Sequence, residues 1–328
     1  MLERRPNMIA SAPGKLILTG EYAVLGGAPA IVVAVDRRAI AQRNATPRGS
    51  SPFLLAVADE IAARRGAADP AAHAALEISV DSTAFYHRLT KLGLGSSAAV
   101  TVAATALALG TVDHEEVLAV ALAAHARAQG ARGARGSGAD IAASVHGGTI
   151  VFSLADAAGG AAPCRVERRK WPASVMILPF FTGAAADTAQ LVSRVEAARD
   201  AHRTAVDAAL AAIADASRAA CAALAAPPDI APVALIGAIA LAANATDRLA
   251  IATGIDLVPE CVTSARAALA RLGGTAKTTG AGGGDVGVAV LPATVDGTVA
   301  TRLLIEAGCQ PLRISLDEAG VDLRADAS

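Results

Sequence analysis

The sequence predicts an α+β protein built as two domains, and three observations lead there. Its 328 residues exceed the roughly 100–200 usual for one domain. Short β-rich runs and long alanine-rich helical runs are mixed in both halves instead of segregating. Between the halves, LADAAGGAAPCR (154–165) is small and turn-rich. A boundary near Trp171 follows, giving domains 1–170 and 171–328.

Taken in order, MIAS, KLILTG and PAIVVAVDRRAIAQ read as adjacent strands separated by the turn formers APG and GG. Residues 53–65 read as a helix and 75–80 as a strand. KLGLGSSAAVTVAATALALG (91–110) then opens on glycine and serine and runs into a helix over 96–109. A second helix, 114–129, starts behind Thr111 or Asp113 as N-cap. The loop QGARGARGSGAD (129–140) leads to another helix start, and GGTIVFSL (147–154) reads as a strand. The second half opens with the apolar strand SVMILPFFTG (174–183) and continues with helices over 187–225, 232–252 and 259–272. Strand character returns at DVGVAVLP (285–292) and QPLRISL (310–316). No internal repeat is evident.

Composition narrows the partners. A formal net charge of −1 gives no field that recruits a nucleic acid or an anionic membrane. Aromatics make up 2% of residues, too few for base-stacking platforms. Cys164, Cys221, Cys261 and Cys309 are too scattered for a metal-ligand pair or a disulfide framework, so buried free thiols in a reducing cytoplasm are expected. The N-terminal MLERRPNMIASAPGK lacks an apolar core for a signal peptide, and later apolar runs are interrupted before about 18 residues, so no membrane association is expected.

Three segments carry chemistry. In the first, SAPGKLILTGEYAVLGG, a turn presents Lys15, and Glu21 and Tyr22 occupy the next turn. In the second, Lys91, Gly93, Leu94, Gly95, Ser96, Ser97 and Ala98 precede or open a helix, whose unpaired first amides could receive phosphate oxygens. Ser96 has an alternative reading as a plain N-cap, and no Gly-Lys-Ser or Gly-Lys-Thr follows the glycines. In the third, TTGAGGGDVGVAV (278–290), a glycine run stands ahead of an apolar strand, which makes sense if its backbone lies against a ligand.

Together and in this order, the three segments resemble the GHMP kinase superfamily over nearly the whole chain. The resemblance implies an N-terminal domain of the ribosomal protein S5 domain 2-like type and a C-terminal ferredoxin-like α+β domain, with the active site in the cleft between them. It implies ATP with Mg2+, the phosphates on residues 93–99, the metal on Ser97 beside Ser96, and residues 280–285 lining the cleft. GSGADIAASVHGG (136–148) resembles the segment whose aspartate faces the acceptor, making Asp140 and Lys15 the catalytic pair. Asp140 alone also fits a carboxylate complementing a helix dipole.

GAGGGD ending on Asp285, GEYAVL with Tyr22, the FTG segment 181–183 with Asp187-Thr188, and TGIDLVPE (253–260) are similar to the phosphomevalonate kinase branch. The implied reaction transfers the ATP γ-phosphoryl group to (R)-5-phosphomevalonate. Its rivals are a mevalonate kinase and a non-catalytic ligand sensor on the same fold. Substrate contacts are expected from Lys15, Tyr22, Arg135, Ser137, Gly138, Thr182, Gly280, Ala281 and Gly282, with Arg132 and Lys277 as further cations. Gln129 stands where mevalonate kinases have a metal-binding glutamate, which leaves Glu21 as an alternative acid for the metal. His125 and His146 read as structural, and Trp171 reads as a core or interdomain anchor. A homodimer is left open.

Overall fold

The computed structural model describes residues 8–43, 51–87, 89–131, 136–155 and 164–326. The first two strands are β1 (Met8–Thr19) and β2 (Ala30–Arg43). Sequence reading places a turn at APG, but β1 runs straight through it. The irregularity is absorbed as a shift of register between Pro13 and Gly14, where Pro13 faces Arg38 and Gly14 faces Val35. Asp36 and Arg37 are thus the extra residues of a bulge opposite the start of Lys15, a place where strands commonly re-aim a side chain.

Helices α1 (Pro52–Arg65) and α2 (Pro70–Leu76) precede β3 (Ile78–Asp81) and a short hairpin of β4 (Tyr86–His87) and β5 (Thr90–Lys91). The sequence reading has no helix here and starts a strand at residue 75, yet α2 runs to Leu76 and Asp69 caps it by accepting from the Ala71 amide. Then come α3 (Ser96–Leu109), α4 (His114–Gly130) and α5 (Ala139–His146). The bounds of α3 are those read from sequence, because left-handed Gly95 and Gly110 close both ends. Asp113 caps α4 through the Glu116 amide.

Strands β6 (Thr149–Leu154) and β7 (Cys164–Arg169) complete the first half, and β8 (Val175–Phe181) begins the second. The helix expected over 187–225 breaks at His202 into α6 (Thr188–Ala201) and α7 (Arg203–Leu224). There follow α8 (Ala231–Thr253), α9 (Glu260–Ala270), β9 (Thr275–Thr278), β10 (Val286–Pro292), α10 (Gly297–Glu306), β11 (Gln310–Pro311) and β12 (Asp322–Ala325). Only two residues of the expected 310–316 strand pair as β11.

Besides the β4-β5 hairpin, the described strands form two antiparallel sheets, β12-β1-β2-β6-β7 with β3 added on β2, and β11-β8-β10-β9. The last described strand, β12, thus pairs with the first, β1. Arg38 fixes this return by pairing with Asp317 and donating to the carbonyls of Ser11 and Gly320.

Helix α3 lies on β1 and β2 as the centre of a core that continues into the second half through Trp171, Phe181, Leu235 and Val288. Alanines at 98, 99, 103, 104 and 106 are all buried on α3, so small side chains let helix and sheet approach closely. The Trp171 indole is buried in this core and donates to the Val175 carbonyl at 2.8 Å, a local bond four residues along the chain. Among the described residues α8 is long and apolar enough to cross a membrane, but half of that stretch is buried within the fold, largely against α7. The four cysteines are free thiols.

Candidate active site

Elements distant in sequence bring the three motifs together. Gly14 has no room for a side chain: an added Cβ would lie 2.7 Å from both the Leu94 carbonyl and the Phe85 ring. That close approach lets the Lys15 amide donate to Leu94 O at 2.9 Å. β1 is thereby bonded to the loop that enters α3. The Lys15 side chain runs over Gly95, where an added Cβ would sit 3.0 Å from its Cε, and its ammonium donates to Gly93 O at 3.3 Å. The loop needs glycine for a second reason, since Gly93 and Gly95 have φ of 69° and 76°.

Lys15 is 8% exposed. Burial pushes its ammonium below the ordinary lysine value, opposed chiefly by the charges of Asp140 and Asp285 and, more weakly, Glu21, while Lys91 reinforces the depression. Asp140 enters from the first turn of α5, behind left-handed Gly138. That helix is pinned to β1 by Ser144, whose hydroxyl donates to Pro13 O at 2.7 Å. Lysine and aspartate thus stand on two elements locked together two residues before Lys15.

Ser96 is buried at the start of α3 and Ser97 is half-buried beside it. His125, read as structural, is buried on α4 with Nε2 3.2 Å from Ser97 Oγ and its ring stacked on Phe53. His146 likewise meets His114 edge to face at 4.8 Å. Ser137 Oγ accepts from the Ala139 amide at 3.3 Å, and the Gln129 side chain lies against Gly136. Lys91 is exposed on β5. Arg132 and Arg135 fall outside the described residues.

The glycine run faces this group from the second half. Tyr22, with φ of 58°, donates its hydroxyl to Ala281 O at 2.6 Å. Burial, and then the charge of Glu21, raises the Tyr22 pKa, so this phenol is a neutral donor. Gly283 donates to Leu257 O at 2.8 Å, and an added Cβ at Gly282 would strike the same carbonyl. Gly280 has no atom within 4 Å of its Cβ direction, so its face is open. Thr182 directs its amide and hydroxyl to Asp285 O, both at 3.0 Å.

Glu21 and Lys277 take a different place from the one expected. Lys277 is 1% exposed and Glu21 3%, and the two form an ion pair across the halves, with Lys277 also donating to Thr278 O at 2.7 Å. Glu21 Oε1 is thus taken by Lys277, while Oε2 is buried with no hydrogen-bond partner among the described residues, and Lys277 is itself almost wholly buried. No group of three or more His, Cys, Asp or Glu suited to a metal occurs among the described residues.

Residues 53–148 match the model of the GHMP kinase N-terminal domain. A phosphomevalonate kinase of Streptomyces sp. (strain CL190) is 31% identical, covering 87% of this chain and 90% of the relative. A mevalonate kinase of Archaeoglobus fulgidus is also 31% identical, over 61% of this chain and 67% of the relative. Among solved structures, the Streptococcus pneumoniae phosphomevalonate kinase in complex with phosphomevalonate and AMPPNP superposes with a TM-score of 0.76 at 18% identity, covering 94% of this chain and 99% of that one. The extent of these matches leads to one conclusion: the chain belongs to the GHMP kinase family of ATP-dependent kinases.

Proposed function

We propose that the chain is a phosphomevalonate kinase, transferring the γ-phosphoryl group of ATP to the phosphate of (R)-5-phosphomevalonate and releasing 5-diphosphomevalonate and ADP. The observation that carries this reading is the reach of the Streptomyces relationship, which spans 90% of that enzyme at 31% identity, against 67% of the mevalonate kinase. The phenol at Tyr22 and the carboxylate at Asp285 support the same branch.

In this reading ATP phosphates lie on the amides of Gly93, Leu94, Gly95, Ser96, Ser97 and Ala98, at the positive end of α3. Ser97 Oγ, half-exposed on the first turn, fits an oxygen ligand for Mg2+, which takes one or two protein ligands and completes its shell with phosphate and water. Bound there, the ion would neutralise phosphate charge.

The acceptor oxygen belongs to a phosphate whose second ionisation lies near pH 6, so it is largely deprotonated at neutral pH. It attacks the γ-phosphorus as the bond to the ADP oxygen breaks, and a strong base is not required. Lys15 neutralises charge on the phosphoryl group in flight, while Asp140 holds Lys15 and the acceptor in register. Ser137, Gly138, Thr182, Gly280, Ala281 and Gly282 line the acceptor side, with Tyr22 fixing the glycine run.

Lys15→Ala and Asp140→Asn test the assignment through ADP release with phosphomevalonate. Each is expected to lower kcat by about 100-fold or more while ATP binding, followed by calorimetry, changes little. Near-normal turnover of either pure variant would remove that residue from the mechanism.

A further inference from the structure

Asp285 is one of two described non-glycine residues with positive φ, at 55°. It ends a run in which Gly280, Gly282 and Gly283 adopt φ of 67°, 75° and 72°, so glycine would suit this backbone without strain. A side chain kept in a left-handed position among glycines points to a use for that side chain.

Its surroundings indicate the use. The Asp285 amide donates to Ala184 O at 2.7 Å, and Oδ1 accepts from the Ala186 amide at 3.1 Å. Thr182 grips its carbonyl with two hydrogen bonds. Held by these bonds, the carboxylate lies directly over Gly93, in the space a Cβ there would fill. The other side of the same residue, Gly93 O, receives the Lys15 ammonium. Oδ2 has no hydrogen-bond partner among the described residues; burial pushes this carboxyl above the ordinary aspartate value, opposed by the Ala186 amide and by the charges of Lys15 and Lys91.

We infer that Asp285 is a positioning residue for Lys15. It brings a second carboxylate from the far side of the cleft and holds the buried ammonium charged and in place above the loop. Asp140 supplies one counter-charge from the first half of the chain and Asp285 supplies the other from the second. The charged groups acting on Lys15 are Asp140, Asp285, Lys91 and Glu21. Loop and glycine run are thereby joined through one lysine, and the ammonium reaches its working position only when both halves are in register.

This inference rests on the proposed role of Lys15, and its test separates the two. Asp285→Asn keeps a residue that tolerates the left-handed backbone and keeps an oxygen for the Ala186 amide, removing only the charge. Two readouts are taken, kcat against KM for ATP, and the Lys15 titration by lysine-selective 13C NMR, which needs no acceptor. The expected result is a fall in kcat of about 10- to 100-fold with little change in KM and an unaltered Tm, together with a lower Lys15 pKa in the variant. Full activity, or an unmoved Lys15 titration, overturns the inference. Asp285→Gly removes the left-handed strain along with the charge, and it should lose the same activity even where its Tm rises. If wild-type protein phosphorylates no acceptor, the proposed function falls, and the NMR titration still decides the role of Asp285.

Discussion

Removal of Lys277 is predicted to cost a large share of the stability, because its ammonium forms a buried ion pair with Glu21. The ammonium and the Glu21 carboxylate are 1% and 3% exposed. Glu21 Oε2 already has no partner, so in Lys277→Met the carboxylate loses its cation and neither oxygen remains paired. Methionine fills most of the vacated volume, which keeps a cavity penalty small and isolates the charge effect. Breaking a buried pair by deleting one partner costs about 3–5 kcal/mol, a large share of the roughly 5–15 kcal/mol that holds a folded chain. In urea, with a slope near 3 kcal/mol/M, the midpoint should drop by about 1–1.7 M. Trp171, the one tryptophan, is buried beside the junction of the halves and reports the transition by fluorescence. The double variant Glu21→Gln, Lys277→Met should recover much of the loss, because the lone charge is gone. A Lys277→Met midpoint within about 0.5 kcal/mol of wild type, or a double variant no better than the single, would refute a dry, coupled pair.

Two further outcomes follow from local geometry. Gly95→Ala forces a side chain into φ of 76° and sets its Cβ 3.0 Å from Lys15 Cε. It should cost about 1–2 kcal/mol of stability and lower kcat by about 10-fold or more through displacement of Lys15. Gly27→Ala, with φ of 89° and open space around its Cβ, should show the stability cost alone. For His146, burial, then His114 and Arg168, lowers the pKa to about 4. The unfolded chain then binds the extra proton between about pH 6.5 and 4, so stability falls as pH drops through that window. His146→Gln should remove about 1–2 kcal/mol of that fall after allowance for partial exposure, read as a smaller Tm difference between pH 7 and pH 4.5.

The parts of the site legible in sequence were those written locally. Glycines at 93 and 95 followed by serine mark a loop feeding a helix whatever lies around it, and α3 has the predicted bounds. Lys15, Asp140 and the glycine run were reached through motif resemblance, and the fold brings all three to one place. What sequence did not reveal depends on contacts between distant segments. The Glu21 and Lys277 pair joins positions 256 apart, and neither residue carries a local mark of its partner. The same holds for His125 on Ser97, for the return of β12 to β1, and for APG, which is a bulge only because β2 supplies the extra residues. Asp285 was visible as a branch feature, but its strained backbone and its seat over Gly93 required coordinates.

The most direct measurement of the account is 31P NMR of the purified protein with ATP and Mg2+, offered (R)-5-phosphomevalonate in one sample and mevalonate in another. The account predicts that ADP and a new diphosphate ester grow together in the first sample, while the second yields no phosphate monoester. Phosphorylation of mevalonate alone, or an ATP signal unchanged in both samples, would contradict it.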